Sequence, residues 1–439
     1  MVGGRKQKLL KRLEKLYVGI LLVIFGGIVL QGPISAGFGS LFPSYDLLIK
    51  SWKEILMLVA GVIALVLLYQ KKKLQILRDP VIFAIGAYGV LHLVLFGYTF
   101  TGLTSSLAGL AIDLRYVLYF GLVYVAMRLY PQYRQYFIKV GIAGALVVLV
   151  FALLQVFILP KDVLKYIGYN VDTISPYLTV DKNPGFIRIN STLRGPNPLG
   201  AYAGMALVLV VAAVANRKFI KGKLSIFVLS LLSIGGIVAL WSSYSRSAWI
   251  GAIIAIISLL TVIKINKKSL KTWLIIGIIS IVSLGGIVIF SNGGNFISNV
   301  LLHENPNGGS STNSNQGHIS SLQDGLKQMT NQPLGDGVGS TGSASLYSKN
   351  PTIVENQYLF IAHEVGWFGL ILFVYIVVLV MNSLWKLRKN WLAIGVLASG
   401  IGLAIIGLLL PVWVDDTVAI IWWGLAAIAL FPPKKALEV

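Results

Sequence analysis

The chain has 439 residues, 56% of them apolar and 12% charged, with a mean hydropathy of +0.79; a soluble fold of that length has no core large enough to hide so much apolar surface. Its formal net charge is +21 and it has no cysteine. The basic residues are parcelled out between apolar runs rather than gathered on one face, which excludes a nucleic-acid surface, and without cysteine there are neither disulfides nor thiolate metal ligands.

A hydrocarbon core is spanned by about 20 mostly apolar residues. In chain order, twelve runs qualify: Tyr17–Ile34, Ile55–Tyr69, Pro80–Phe96, Leu107–Ala126, Phe137–Leu159, Leu199–Val214, Leu224–Trp241, Ala248–Ile263, Thr272–Phe290, Tyr358–Met381, Trp391–Leu410 and Val418–Phe431. The first follows the basic flank MVGGRKQKLLKRLEK and has no convincing small-residue cleavage site, so it is expected to stay as an uncleaved span. The pattern predicts an all-α polytopic membrane protein with a single membrane domain over 1–439.

Charge sets the orientation. With the N-terminus in the cytoplasm, the inner connections hold 26 of the 37 Lys and Arg residues but only Glu14, Asp79 and Glu438 among the 16 acids, leaving the inner side at +23 and the outer side at −2. That asymmetry follows the positive-inside rule, and it predicts both termini in the cytoplasm. The polar segment 291–357, rich in Ser, Asn and Gly, then becomes one long extracytoplasmic loop, since its backbone groups would go unsatisfied in hydrocarbon. Within it, Ile319, Leu322, Leu326 and Met329 fall at steps of three, four and three, the spacing of an amphipathic helix with one apolar stripe. The tract NPNGGSSTNSNQG before it predicts no fixed structure.

The outer connections carry the candidate chemistry. Arg188 and Arg194 lie in GFIRINSTLRGPNPLGAY, and Arg246 in WSSYSRSAW, a connection too short to leave the membrane surface. A single interfacial arginine commonly snorkels to headgroups. Three near span ends on a slightly acidic face suit phosphate oxygens, which the guanidinium fork binds while staying charged. His318 and Glu355 flank the ordered part of the long loop, and either suits a general base; the residues leave open which. Asp113 and Arg115, read as a pair inside the fourth span, and Glu364 in the tenth are costly in lipid and should face the bundle as structural groups. His92 reads as a packed polar residue, while His303 and His363 show no metal-ligand spacing.

The motifs RINSTLRGPNPLGAY, SYSRSAWIG, PLGDGVGS and ENQYLFIAHEVGWFGL, in this order and on this side, resemble the O-antigen ligase and Wzy-type polymerase superfamily of bacterial membrane glycosyltransferases. The resemblance implies a GT-C-like fold in the bacterial plasma membrane and a metal-independent, inverting transferase with no cofactor. Its donor would be an undecaprenyl-pyrophosphate-linked oligosaccharide, and its acceptor a hydroxyl on a glycan or a lipid-linked glycan. By the same resemblance Arg246 is the pyrophosphate-binding candidate, which Arg194 and Arg188 join on the reading of the residues, and Glu355 and His318 are the catalytic candidates. Two departures stand out: His318 occupies the place of a second ligase arginine, and Glu355 that of the ligase histidine. They favour a polymerase over lipid A ligation. The competing reading is a flippase or transporter for lipid-linked glycans.

Overall fold

The computed structural model describes residues 2–215, 222–263 and 314–433. Eight helices are long and apolar enough to cross a membrane and three more are shorter apolar helices. In order these are α1 (Val2–Gly27), which runs through a short turn into α2 (Gln31–Leu41), then α3 (Trp52–Gln70), α4 (Pro80–Tyr98), α5 (Leu103–Leu129), α6 (Arg134–Phe157), α7 (Pro196–Ala215), α8 (Lys223–Ser242) and α9 (Arg246–Val262). After the loop helix α10 (Ser314–Asn331) come α11 (Gln357–Lys386), α12 (Trp391–Ile406) and α13 (Asp416–Ala429). Eleven of the twelve expected runs coincide with these helices. The run Thr272–Phe290, His303 and most of the NPNGGSSTNSNQG tract lie outside the described residues.

Local chemistry sets where the helices start. Pro80 opens α4, where its missing N–H costs nothing. Asn356, Asn390 and Asp415 each turn a side-chain oxygen onto the first free amides of α11, α12 and α13. Between helices the packing is close because small residues meet. A Cβ on Gly251 would lie 2.8 Å from the Gly402 carbonyl, and one on Gly204 would lie 3.1 Å from Ala252. Such contacts bring α7, α9 and α12 together without a hydrophobic drive between them, as lipid-embedded helices require. Trp413, Trp422 and Trp423 pack at the centre against Tyr116 and Phe120, while Leu58, Phe83, Leu93 and Ile253 point outward.

The same contacts define the ends of the bundle. The start of α11 is joined to the close of α12, with Gln357 N donating to Gly407 O at 2.8 Å and Tyr358 Oη to Ala404 O at 3.0 Å. Gly251, near the start of α9, meets Gly402 and Ile406 close to that same place. At the far end Ser258 and Val262 line a groove with Met381 and Trp385. The chain therefore leaves α9 at one end and is next described, in α10, at the other.

Two features go beyond the expectations. The connection before α7 holds an antiparallel hairpin, β1 (Leu178–Val180) and β2 (Asn183–Arg188). Asp181 and Lys182 form its turn with φ of 45° and 61°, the geometry that matches the twist of paired strands. And α10 does not pack through the whole predicted stripe: Leu322 and Leu326 are exposed, whereas Met329 and Gly325 dock on Val354 and Leu359.

Candidate functional site

Two of the three arginines are brought together by the hairpin. Val180 and Phe186 bury against Trp241, Tyr244 and Trp249, which seats β2 on the turn between α8 and α9. Ile189 N donates to Ser242 O at 3.2 Å, continuing the docking beyond the strand. Next to it Ser191, at φ 51°, is anchored by Gln155 and by the Val148 carbonyl. Arg188 at the strand end consequently reaches inward, with Nε donating to Ser243 O at 2.8 Å and a terminal NH2 to Asn197 Oδ1 at 2.6 Å. Burial pushes its pKa down to about 10, opposed by the Asp181 charge and assisted by that of Arg246. A value of about 10 still leaves the guanidinium charged at neutral pH, so two cations share this corner.

Arg246 is the first residue of α9 and half-buried. It projects from a helix start, where unpaired amides and the helix dipole add positive potential. The turn behind it is held tight: Tyr244 has φ 46°, and a Cβ on Gly200 would come within 2.7 Å of Ser243 Oγ. The SYSRS motif is thus a rigid support for one arginine, pressed between α7 and the hairpin.

Arg194 behaves differently. It is exposed, and its charge acts on Asp415, Asp416 and Tyr169. Asp416 belongs to a buried ionic cluster: Lys53 Nζ lies 3.2 Å from Asp416 and 3.3 Å from Glu54, and Arg115 lies 3.7 Å and 3.6 Å from the same two carboxylates. Arg115 also donates to the Val414 carbonyl. These groups tie the starts of α3 and α13 to α5, each charge compensated by its opposite, the condition for keeping ions inside a bundle. Asp113 and Arg115 are therefore not a pair. Asp113 faces His92 at 3.4 Å and the Glu364 side chain.

Glu355 is half-buried and comes immediately before the helix-capping Asn356. Its neighbour Val354 packs with Leu359, Phe360, Met329 and Val414, so the residue sits where α10, α11 and the link into α13 meet. The backbone of residue 318 lies in α10, two turns before Gly325 and on the same face as that docking glycine; the His318 side chain lies outside the described residues. All five candidates belong to the end of the bundle where α7, α9, α11 and α13 begin.

The glycine-rich motif does something that spacing alone did not show. Gly366, at φ 67°, breaks α11, and the carbonyls it frees on His363 and Glu364 are taken up by the amides of Asp336 and Gly337 at 2.7 and 3.2 Å. In return Trp367 N donates to Pro333 O at 3.0 Å. Gly335, Gly337, Gly339 and Gly342 all have φ between 65° and 106°, and a Cβ on Gly335 would lie 2.7 Å from the Glu364 carbonyl. The loop is a wedge that completes a broken helix.

Set against known families, residues 226–374 match the family Wzy_C, described as O-Antigen ligase. Over this stretch the chain is similar to the O-antigen ligase family, which supports the resemblance to the O-antigen ligase and Wzy-type superfamily. It runs from α8 to the middle of α11 and holds Arg246, His318, Glu355 and the glycine-rich wedge, while Arg188 and Arg194 precede it. No curated protein matches the chain. The match falls on the part of the bundle that carries Arg246 and Glu355.

Sequence reasoning missed Asp181 and Asn197 as partners of the arginine corner, Glu54 and Asp416 as partners of Arg115, and Asp415 and Asp416 as the acids on which Arg194 acts. A signal existed for Asp181: DKNPG between LTV and FIRI carries the turn residues of a hairpin. For the acids around Arg115 and Arg194, which lie on other helices, the sequence held none.

Proposed function

We propose that this protein transfers a glycan from an undecaprenyl-pyrophosphate carrier to an acceptor hydroxyl at the extracytoplasmic face of the bacterial plasma membrane, in a GT-C-type bundle of twelve crossings. The observation that carries the reading is the pairing of Arg188 with Arg246 at the end of the bundle where Glu355 and α10 lie, inside and beside the matched stretch. Two adjacent guanidinium groups suit a dianionic pyrophosphate better than any single acidic partner. Arg194, facing Asp415 and Asp416, borders this corner from the side of α13.

In the reaction the acceptor oxygen attacks the anomeric carbon, and its proton passes to Glu355 or to His318. The bond from that carbon to the pyrophosphate oxygen breaks, the anomeric centre inverts, and the carrier leaves as the pyrophosphate anion. Arg188 and Arg246 stabilise the charge that grows on the leaving oxygen; loss of one such donor costs about 2.7 to 4 kcal/mol in comparable sites. The two departures from the ligase pattern, at His318 and Glu355, favour chain extension over transfer to lipid A.

The test uses purified full-length protein in lipid nanodiscs with an undecaprenyl-pyrophosphate oligosaccharide. Longer glycans together with released undecaprenyl pyrophosphate are expected. Carrier that moves between leaflets with no new glycosidic bond would establish the transporter instead.

A further inference from the structure

The glycine-rich wedge ends in a chain of contacts that leads to Glu355. Glu364 is fully buried, and its two carboxylate oxygens accept from the wedge, Oε2 from Gly339 N at 3.0 Å and Oε1 from Thr341 N at 3.2 Å. Behind it stands Asp113, backed in turn by His92, so the carboxylate is held from α4 and α5 as well as by its own helix. Thr341, also fully buried, faces the other way with its hydroxyl: Oγ1 donates to Thr352 O at 3.0 Å and accepts from Val354 N at 3.2 Å. Gly342 N and Ser345 Oγ donate to the same Thr352 carbonyl, at 2.9 Å each. On the far side of Glu355, Asn356 is fixed by its cap on α11 and by donating to Leu408 O at 2.8 Å.

We infer that Thr341 is a positioning residue for Glu355, with Glu364 holding Thr341 in register, so that the wedge aims the base at the arginine corner. This rests on the reading of Glu355 as a proton acceptor. The segment 352–355 is neither helix nor strand; Ser345 and Gly342 hold it at Thr352, and the Thr341 hydroxyl carries the hold on to Val354, the residue before Glu355. A hydroxyl is both donor and acceptor, so one residue can clasp the Thr352 carbonyl and the Val354 amide together. Valine keeps the shape and removes both bonds, whereas serine keeps both.

The experiment measures steady-state transfer by the full-length protein in nanodiscs, with an undecaprenyl-pyrophosphate oligosaccharide as donor, for Thr341→Val, Thr341→Ser and Glu355→Gln. Displacing a catalytic group by about 1 Å costs up to about a hundredfold. T341V should therefore lower kcat by about tenfold to a hundredfold with donor KM within about twofold, a split that marks loss of transition-state geometry rather than of binding. T341S should recover kcat to within about threefold, and hydrogen exchange over 352–355 should quicken in T341V alone. If T341V fails to reach the membrane, Thr341→Ala is judged on the same three readouts. The inference is overturned if T341V keeps the wild-type kcat, or if T341S is as impaired as T341V, while E355Q is inactive. Full activity of E355Q would instead overturn the base assignment itself.

Discussion

The arginine corner and the glycine-rich wedge hold charge in opposite ways. In the corner, Arg188 and Arg246 set two cations beside one another, with Asp181 as the acid acting on both, and Arg188 spends two of its five donors on Ser243 and Asn197. Placing like charges together is unfavourable unless something anionic arrives. In the wedge the reverse holds: each oxygen of the Glu364 carboxyl group already meets a backbone amide and holds a loop against a broken helix. The first arrangement gathers two guanidinium groups around one carboxylate, the second gives both oxygens of a carboxyl group to backbone amides. That contrast separates recognition from scaffolding among charges that all lie near one end of the bundle.

The sharpest break of the contrast is Arg246→Ala, which should reduce transfer by about two to three decades while leaving the protein folded in the membrane; product analysis and size-exclusion profiles check both halves. Next comes Glu364→Ala, which orphans the amides of Gly339 and Thr341 at about 1 to 3 kcal/mol each. Its expected signature is a lower melting temperature in nanodiscs, with donor affinity in the surviving folded fraction unchanged. Asn197→Ala removes one acceptor from Arg188, so a loss of severalfold in donor affinity is expected, with melting shifted little. The smallest effect belongs to α10. Leu326→Ala, at an exposed position, should change stability by no more than about 0.5 kcal/mol, whereas Gly325→Val, whose side chain would strike Leu359, should loosen the helix and speed its proteolysis.

Much of this was legible beforehand, and for stated reasons. Apolar runs of membrane length fell on eleven helices of the described residues, because a helix in lipid must satisfy its own backbone wherever the run lies. Arg246 stood out because its connection is six residues of polar side chains between two spans. Less legible was the hairpin, whose strands are short and whose docking surface, Trp241, Tyr244 and Trp249, lies on later helices. The α10 stripe was legible as helical, but not that Gly325 beside it makes the close approach to Leu359, since a glycine contributes nothing to an apolar pattern. Asp113 and Arg115 looked like a pair because they stand two apart, a spacing that points side chains to different sides of a helix.

By itself, then, the sequence determined the membrane-spanning character of the chain, the twelve apolar runs and the expected side for the arginines, all of which follow from composition and period along a single segment. Only the tertiary structure decided which charges meet. It set Arg188 beside Arg246, drew Arg194 toward Asp416, and linked Glu364 through Thr341 to the residue before Glu355. The physical reason is that a charge or an amide finds its partner through distance in space, and helices far apart in the chain reach that distance only when small residues such as Gly251 and Gly402 let them close together.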